Sequence, residues 1–262
     1  MNAFTPLLVA AGIALALPNP TAPGSTGARS PLPTAKPNSA AYAPVAVLEL
    51  FTSQGCSSCP SADRLLTETL AEAAKTNKKV IGLSFHVDYW DRLGWKDPFS
   101  NHAFTQRQYT YSEHFAQNGV YTPQEVLNGQ REFVGSNRSK QSSGLNEVLS
   151  RPATAGVQLT TSAPAGNRLT VNYELAGNLA DAVLNVALVS KTTETTVQRG
   201  ENAGRKLMHD NVVRVFQTVP ATRKGTMSFT LPAGYEARNG AVVGYVQARQ
   251  TLAVRGASMV NL

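Results

Sequence analysis

Only two of the 262 residues are cysteine, only 16% are charged and only 7% are aromatic. Two cysteines exclude a disulfide-dense scaffold, so the fold must rest on a hydrophobic core, which a chain of this length can bury. Charged residues make up about a quarter of an average soluble domain. Here Ser, Thr, Asn, Gln and Gly take their place on the polar surface, a balance that leans towards an exported protein. The 24 Lys and Arg give a net charge of +7 but form no run longer than two residues, and without a basic stripe nucleic-acid binding is not expected. The apolar run from Pro6 to Leu17 is twelve residues long, short of the ~20 that a spanning helix needs. There is no second CxxC and, in the C-terminal part, no glycine-rich phosphate loop and no acid pair at catalytic spacing.

A run of that length suits the core of a signal peptide. The residues before it, Met1 to Thr5, carry no Lys or Arg, so an apolar N-terminal helix that stays attached is the competing reading. The expectation is a signal-peptide region over 1–28 and a Pro/Ser-rich linker over 29–44, with no stable membrane insertion once the signal is removed. From 45 to 150 the periodicity predicts strand Val45 to Phe51, helix Ser58 to Thr76, strand Lys79 to Val87, helix Pro98 to Gln117, strands Pro123 to Leu127 and Arg131 to Val134 around the hairpin pair Asn128-Gly129, and helix Arg138 to Ser150. From 151 to 262 at least six segments alternate apolar and polar residues, which predicts a small antiparallel β-sandwich.

The sharpest chemical signal is Cys56-Ser57-Ser58-Cys59-Pro60, where the first strand meets the first helix. Two intervening residues on a first helical turn bring both sulfurs within disulfide reach, and the helix N-terminus favours a thiolate on Cys56, which is expected to be the exposed sulfur while Cys59 points into the domain. Lowering that thiol from ~8.5 to ~7 corresponds to about 2 kcal/mol. Pro60 fits the first turn, whose N–H groups lack intrahelical partners. The same pair could be a structural disulfide, although so small a loop stabilises a fold little, or two ligands of a soft-metal site completed by a distant His or Met. A second signal is Tyr121-Thr122-Pro123, where Pro123 enters a strand. A cis bond there would set the strand's entry and leave a backbone edge for an extended substrate; a trans Pro on an edge strand is the alternative. A third is His86-Val87-Asp88-Tyr89-Trp90-Asp91, at the carboxyl end of the second strand, where ligands collect in α/β sheets. Tyr89 and Trp90 would offer aromatic surface to a substrate, and His86 or Asp88 a proton shuttle or ligand. The competing reading makes His86 a satisfied core histidine and Trp90, Trp95 and Phe99 a cap. His102, His114 and His209 read as surface residues. The loop Arg199 to Arg205 either bridges the two halves near the dithiol or is a well-bonded turn.

The order of elements, the CxxC at the first strand-to-helix turn and Thr-Pro before the third strand resemble the thioredoxin-fold superfamily. More narrowly, LELFTSQGCSSCPSAD (48–63), HVDYWDRLGWKDPFS (86–100), FTQRQ (104–108), YTPQEVLNG (121–129) and RGENAGRKL (199–207) resemble an uncharacterised family of exported bacterial proteins, the domain of unknown function 1223. The resemblance implies an α/β thioredoxin-like domain (β-α-β-α-β-β-α) at 45–150, followed by the sandwich at 151–262. It also implies Cys56 as attacking thiol, Cys59 as resolving thiol and Pro123 as a cis proline. The sequence departs from the superfamily pattern at Gly55, where Trp is common, and at Leu50, where an acid often lies under the second thiol. Glu49, beside Leu50, could serve in proton transfer if the strand were bulged.

The expectation is therefore a secreted or periplasmic thiol–disulfide oxidoreductase acting on exported protein or peptide thiols with a redox partner, both unidentified. Cys56, Cys59 and Pro123 would be catalytic, with Thr122, Trp90, Tyr89, Asp88 and His86 contacting substrate. No cofactor beyond the Cys56–Cys59 disulfide and no metal is expected. The rivals are a metal-binding or metallochaperone protein using the same dithiol, and a noncatalytic binding module.

Overall fold

A computed structural model describes residues 42–262. The expected signal region and most of the linker lie outside these residues. Among the described residues no helix is long and apolar enough to cross a membrane.

The N-terminal half runs β1 (Ala46–Thr52), α1 (Cys59–Lys75), β2 (Val80–His86), α2 (His102–His114), β3 (Gln124–Leu127), β4 (Arg131–Val134) and α3 (Arg138–Leu149). The C-terminal half is all strand apart from one short 3-10 turn: β5 (Ala155–Thr161), β6 (Arg168–Gly177), β7 (Ala182–Thr196), β8 (Lys206–Pro220), β9 (Lys224–Thr230), β10 (Gly240–Ala248) and β11 (Val254–Asn261). Strand β11 has no counterpart in the sequence reading.

A thioredoxin-like domain followed by a separate sandwich is not what forms. The described strands build one eight-stranded mixed sheet, ordered β11-β10-β7-β8-β2-β1-β3-β4, and one three-stranded sheet, β5-β6-β9. The join is between β2 and β8, which run parallel and pair at Ser84 and Val212. Strand periodicity says which residues face a core but not which edges pair, and the pairing is what fuses the two halves. β10 is buried along its whole length, and so is most of β7 up to Ser190, as interior strands of a sheet covered on both faces must be.

One face of the large sheet packs through Val47, Phe51, Leu83, Phe85, Val189 and Tyr245 against Phe104 and Tyr111 of α2. On the other face, Leu48 and Leu50 pack under Ala62 and Leu66 of α1, while Leu184, Val186 and Leu188 pack under the three-stranded sheet. Gly82 allows α1 to lie close on β2, because a Cβ there would come within 2.8 Å of Leu66. The hairpin between β3 and β4 turns on Asn128 and Gly129, both at positive φ (47° and 65°), the geometry of the type I′ turn that an Asn-Gly pair favours.

Candidate functional site

Cys56 and Cys59 form a disulfide with their Cα atoms 5.4 Å apart. Helix α1 begins at Cys59, with Ser58 as its N-cap residue and Pro60 in its first turn, so Cys56 lies on the loop just before the helix and not on its first turn. Nor is Cys56 the exposed sulfur that the helix-end argument expected. Both cysteines are fully buried, and Ser57 and Ser58 form the surface above them.

The cover comes from the far half of the chain. Beyond Ser190, β7 and β8 continue as a paired ribbon to Thr196 and Lys206, and the loop at its tip folds back over the CxxC. Asn202, fully buried, donates from Nδ2 to the carbonyls of Gln54 and Cys56, 2.9 Å each, and accepts from Arg205 at 2.7 Å. Glu201 accepts from the Ser57 N–H at 2.9 Å, and the Ser57 side chain together with this N–H holds its carboxyl below the usual glutamate range. The loop Arg199 to Arg205 is thus a bridge to the disulfide, with Gly200 and Gly204 at positive φ.

Beneath the cover lies a buried polar cluster. Asp97 Oδ2 accepts from the Gln54 N–H at 2.8 Å and meets His86 Nδ1 at 2.7 Å, and its Oδ1 accepts from the Phe99 N–H at 2.9 Å. Burial opposes ionisation of Asp97, but His86 and the two backbone N–H groups outweigh it and hold the carboxyl below its usual value. The His86 ring packs edge to face on His209 of β8, with centroids 4.6 Å apart. His209 Nδ1 lies 3.4 Å from Asp63 Oδ2 in α1, and Asp63 Oδ1 accepts from Thr52 at 3.0 Å. Burial would push the His209 imidazole down, but Asp63, with Asp97 and Asp210 behind it, more than offsets this and holds it above its usual value. His86 Nε2 and both His209 ring nitrogens have no hydrogen-bond partner within normal geometry.

The aromatic residues divide. Trp90 lies against Gly55, where an added Cβ would come within 3.2 Å of the Trp90 Cβ, and donates from Nε1 to Thr122 Oγ1 at 2.8 Å. It therefore ties the CxxC loop to the Thr122–Pro123 bond, which is cis. Trp95 donates to Gln54 Oε1 at 3.1 Å, from the other side of the same loop. Tyr89 reaches Gln108 of α2 at 3.3 Å, and burial pushes its hydroxyl up to about 12. Asp88 is engaged at the start of α2, accepting from Thr105 Oγ1 at 2.6 Å and meeting His102 Nδ1 at 3.0 Å. Pro123 lies on the α1 side, its Cβ 3.3 Å from where a Cβ on Gly135 would stand, with Leu50 and Ala62 around the same point.

Glu49 is not placed for proton transfer at the disulfide. The β1 ladder has no bulge, so Glu49 shares a face with Val47 and Phe51, opposite to the face of Leu50 that packs under α1. There it binds Arg107 through Nε and Nη2 at 2.5 and 2.9 Å and accepts from Tyr111 at 2.6 Å. The acid that does share a face with Leu50 is Glu125 of β3, its direct cross-strand partner. Burial pushes Glu125 up to about 8, with Gln141 donating to both of its oxygens in partial compensation.

The family model described as "Protein of unknown function (DUF1223)" matches residues 47–247. The chain belongs to that family. This span takes in every residue of the disulfide site, the covering loop included. The DUF1223 chain is similar to a protein from Agrobacterium tumefaciens of known crystal structure, with 30% identity, TM-score 0.63, and coverage of 82% of this chain and 93% of that one. Slighter similarities, each at 13% identity and TM-score 0.28 over 42% of this chain, are to a domain of the outer membrane lipoprotein Omp28 from Porphyromonas gingivalis (88% of that chain) and to a DUF3823 family protein from Bacteroides ovatus (57% of that chain). No curated protein matches the chain.

Sequence reasoning in this DUF1223 chain missed the roles of Asp63 and Asp97 and took the buried His209 for a surface residue, whereas the Arg199–Arg205 loop that carries Asn202 is the bridge that one of its two readings allowed. Asp97 lies in the HVDYWDRLGWKD segment and could have been paired with His86 as a nearby carboxylate. His209 gave no such signal, because only the β2–β8 pairing brings it to the first helix.

Proposed function

We propose that this protein is an exported thiol–disulfide oxidoreductase whose redox centre is the Cys56–Cys59 pair, acting on protein or peptide thiols with a separate redox partner. The observation that carries the reading is the disulfide's setting. It closes a loop of four residues in a body that already has three hydrophobic clusters, so as a staple it adds little. Its surroundings are instead polar and ionisable: a hydrogen-bonded cover from residues 201 and 202 and two buried His–carboxylate pairs. Buried charges are costly to keep, and ionisable groups gathered round a sulfur couple suit chemistry in which a thiolate forms and is discharged.

In this reading Cys56 forms the mixed disulfide and Cys59 resolves it; run in reverse, the pair oxidises substrate dithiols. Export fits both a disulfide that persists and the apolar run at 6–17. Equilibrating the folded protein with glutathione buffers and trapping its thiols tests the reading. Reversible two-electron exchange at a potential above about −300 mV is expected, since structural disulfides fall below that value. A disulfide that reduces only on unfolding refutes it.

The rival reading is metal capture by the reduced dithiol, although among the described residues no group of three or more His, Cys, Asp or Glu side chains is gathered to hold an ion. Titration of the reduced and oxidised forms with Cu(I) separates the two, because a dithiol ligand set loses its metal on oxidation.

A further inference from the structure

We propose that Asp63 and His209 form a proton relay serving Cys59, supplying the proton that this sulfur takes up when the disulfide opens. This rests on the redox reading of the pair. Asp63 follows Cys59 by four residues on α1, which places the two side chains on the same face of the helix, one turn apart. Both are buried, Cys59 fully and Asp63 at 5% exposure. Thr52 fixes one carboxylate oxygen, and the other faces His209 Nδ1 at 3.4 Å. The ring belongs to β8, whose Asp210 accepts from Thr67 of α1 at 2.6 Å and whose main chain at Asp210 accepts from Ser84 of β2, so helix and strand are tied together at this point.

The charged groups facing His209 are Asp63 from α1, Asp97 from the loop before α2 and Asp210 from its own strand, with His86 of β2 as the other ionisable ring. Among the described residues none outside this set is an ionic partner of the imidazole, and neither ring nitrogen is committed to an ordinary hydrogen bond. A route to solvent exists on the outer side. Asp63 lines a cleft of about 370 Å³ between α1 and β8, bordered by Pro60, Arg64, Lys206 and Met208.

The step balances as follows. The thiolate of an external dithiol attacks Cys56 Sγ, a mixed disulfide forms, the Cys56–Cys59 bond breaks and its electron pair remains on Cys59 Sγ. The His209 imidazolium passes a proton through Asp63 to that thiolate and regains one from water in the cleft. The second thiol of the external reagent loses its proton to solvent and attacks its own sulfur in the mixed disulfide. Cys56 leaves as thiolate and is protonated by water. The external dithiol is oxidised by two electrons and the protein pair is reduced by two.

The test follows the ring of His209 in the wild-type protein by 15N NMR against pH, in the oxidised form and after reduction with excess dithiothreitol. An opposite charge within ~4–6 Å moves a pKa by about one unit or more. The midpoint of His209 should therefore differ between redox states by about one unit, and in His209→Asn the alkylation profile of Cys59 should move up by a similar amount, with reduction of the disulfide slowed about tenfold. Identical His209 midpoints in the two redox states overturn the relay, and this measurement stands even if the variant does not fold. If the pair reduces reversibly while His209 stays silent, only the relay falls. If the pair cannot be reduced in the folded protein, the redox reading falls with it.

Discussion

Asn202 is the residue whose removal should most change access to the disulfide. Its side-chain amide donates to the carbonyls of Gln54 and Cys56, and with the sulfurs fully buried no reagent reaches them while those bonds hold. Asn202→Ala leaves the buried Gln54 carbonyl unpaired and the Cys56 carbonyl with only the Cys59 N–H at 3.2 Å in the closed loop, whereas in the open loop water satisfies both. The cost falls on the closed state and amounts to about 1–3 kcal/mol. At about 1.4 kcal/mol per factor of ten, the open population should rise roughly 5- to 150-fold. The assay is the rate of reduction by dithiothreitol in native buffer, read by trapping the thiols, against urea concentration well below the unfolding transition. Opening of the loop alone exposes little surface, so the rate should depend only weakly on urea in both proteins and be higher in the variant. An unchanged rate would refute the loop as a cover. So would a rate that rises with the full urea dependence of global unfolding, because the disulfide would then be reached only by unfolding.

Three further outcomes are expected. Glu49→Gln strands Arg107 as an unpaired buried cation beside Tyr111 and Tyr245, and should cost about 3–5 kcal/mol by urea unfolding while leaving the native dithiothreitol rate unchanged. Glu125 keeps its proton in the folded state up to about pH 8 but only to about 4.5 when unfolded, so the wild-type protein should lose a few kcal/mol as pH rises through that window; Glu125→Gln should flatten the slope, which thermal melts from pH 5 to 8 would read. Asp97 has a depressed folded pKa, so its contribution is present above about pH 4 and lost as pH falls through the folded value; Asp97→Asn should be destabilised by about 3–5 kcal/mol at pH 7 and show a shallower acid limb than the wild type.

The parts of this molecule that local periodicity controls were legible in the chain. The helix after Cys59 follows from Leu65, Leu66 and Ala73 at helical spacing, and all three are buried. The Asn128-Gly129 pair announces its hairpin because few other residues adopt two successive positive φ values cheaply. The parts that depend on pairing were not legible. Ser84 looks like any strand residue until β8 arrives beside it, and His209, on an exposed-looking alternation through Lys206, Met208 and Asp210, becomes buried only because its side of the strand lies against α1. Glu49 failed for a different reason: its role in proton transfer needed a bulge in β1, and the unbroken ladder keeps that carboxylate on the α2 face, where Arg107 takes it.

The same pairing explains why a disulfide at the start of the chain's first helix needs the chain's second half. Its own half supplies the loop, the helix and the Trp90 buttress, but nothing in it lies over Gln54 and Cys56. The β7–β8 ribbon does so by running past the point where its other neighbours stop. β10 ends its pairing at Ser190, yet β7 and β8 stay paired to Thr196 and Lys206, a further six residues on β7. At about 3.3 Å per residue that extension spans ~20 Å, enough to carry the loop along α1 to its N-terminus. Asp210 holds the ribbon to the helix through Thr67, and His209 sits one residue away facing Asp63. A single structural element thus sets both the cover over the sulfurs and the imidazole beneath them, so any movement of the ribbon that admits a substrate must also change the surroundings of the proton-carrying pair.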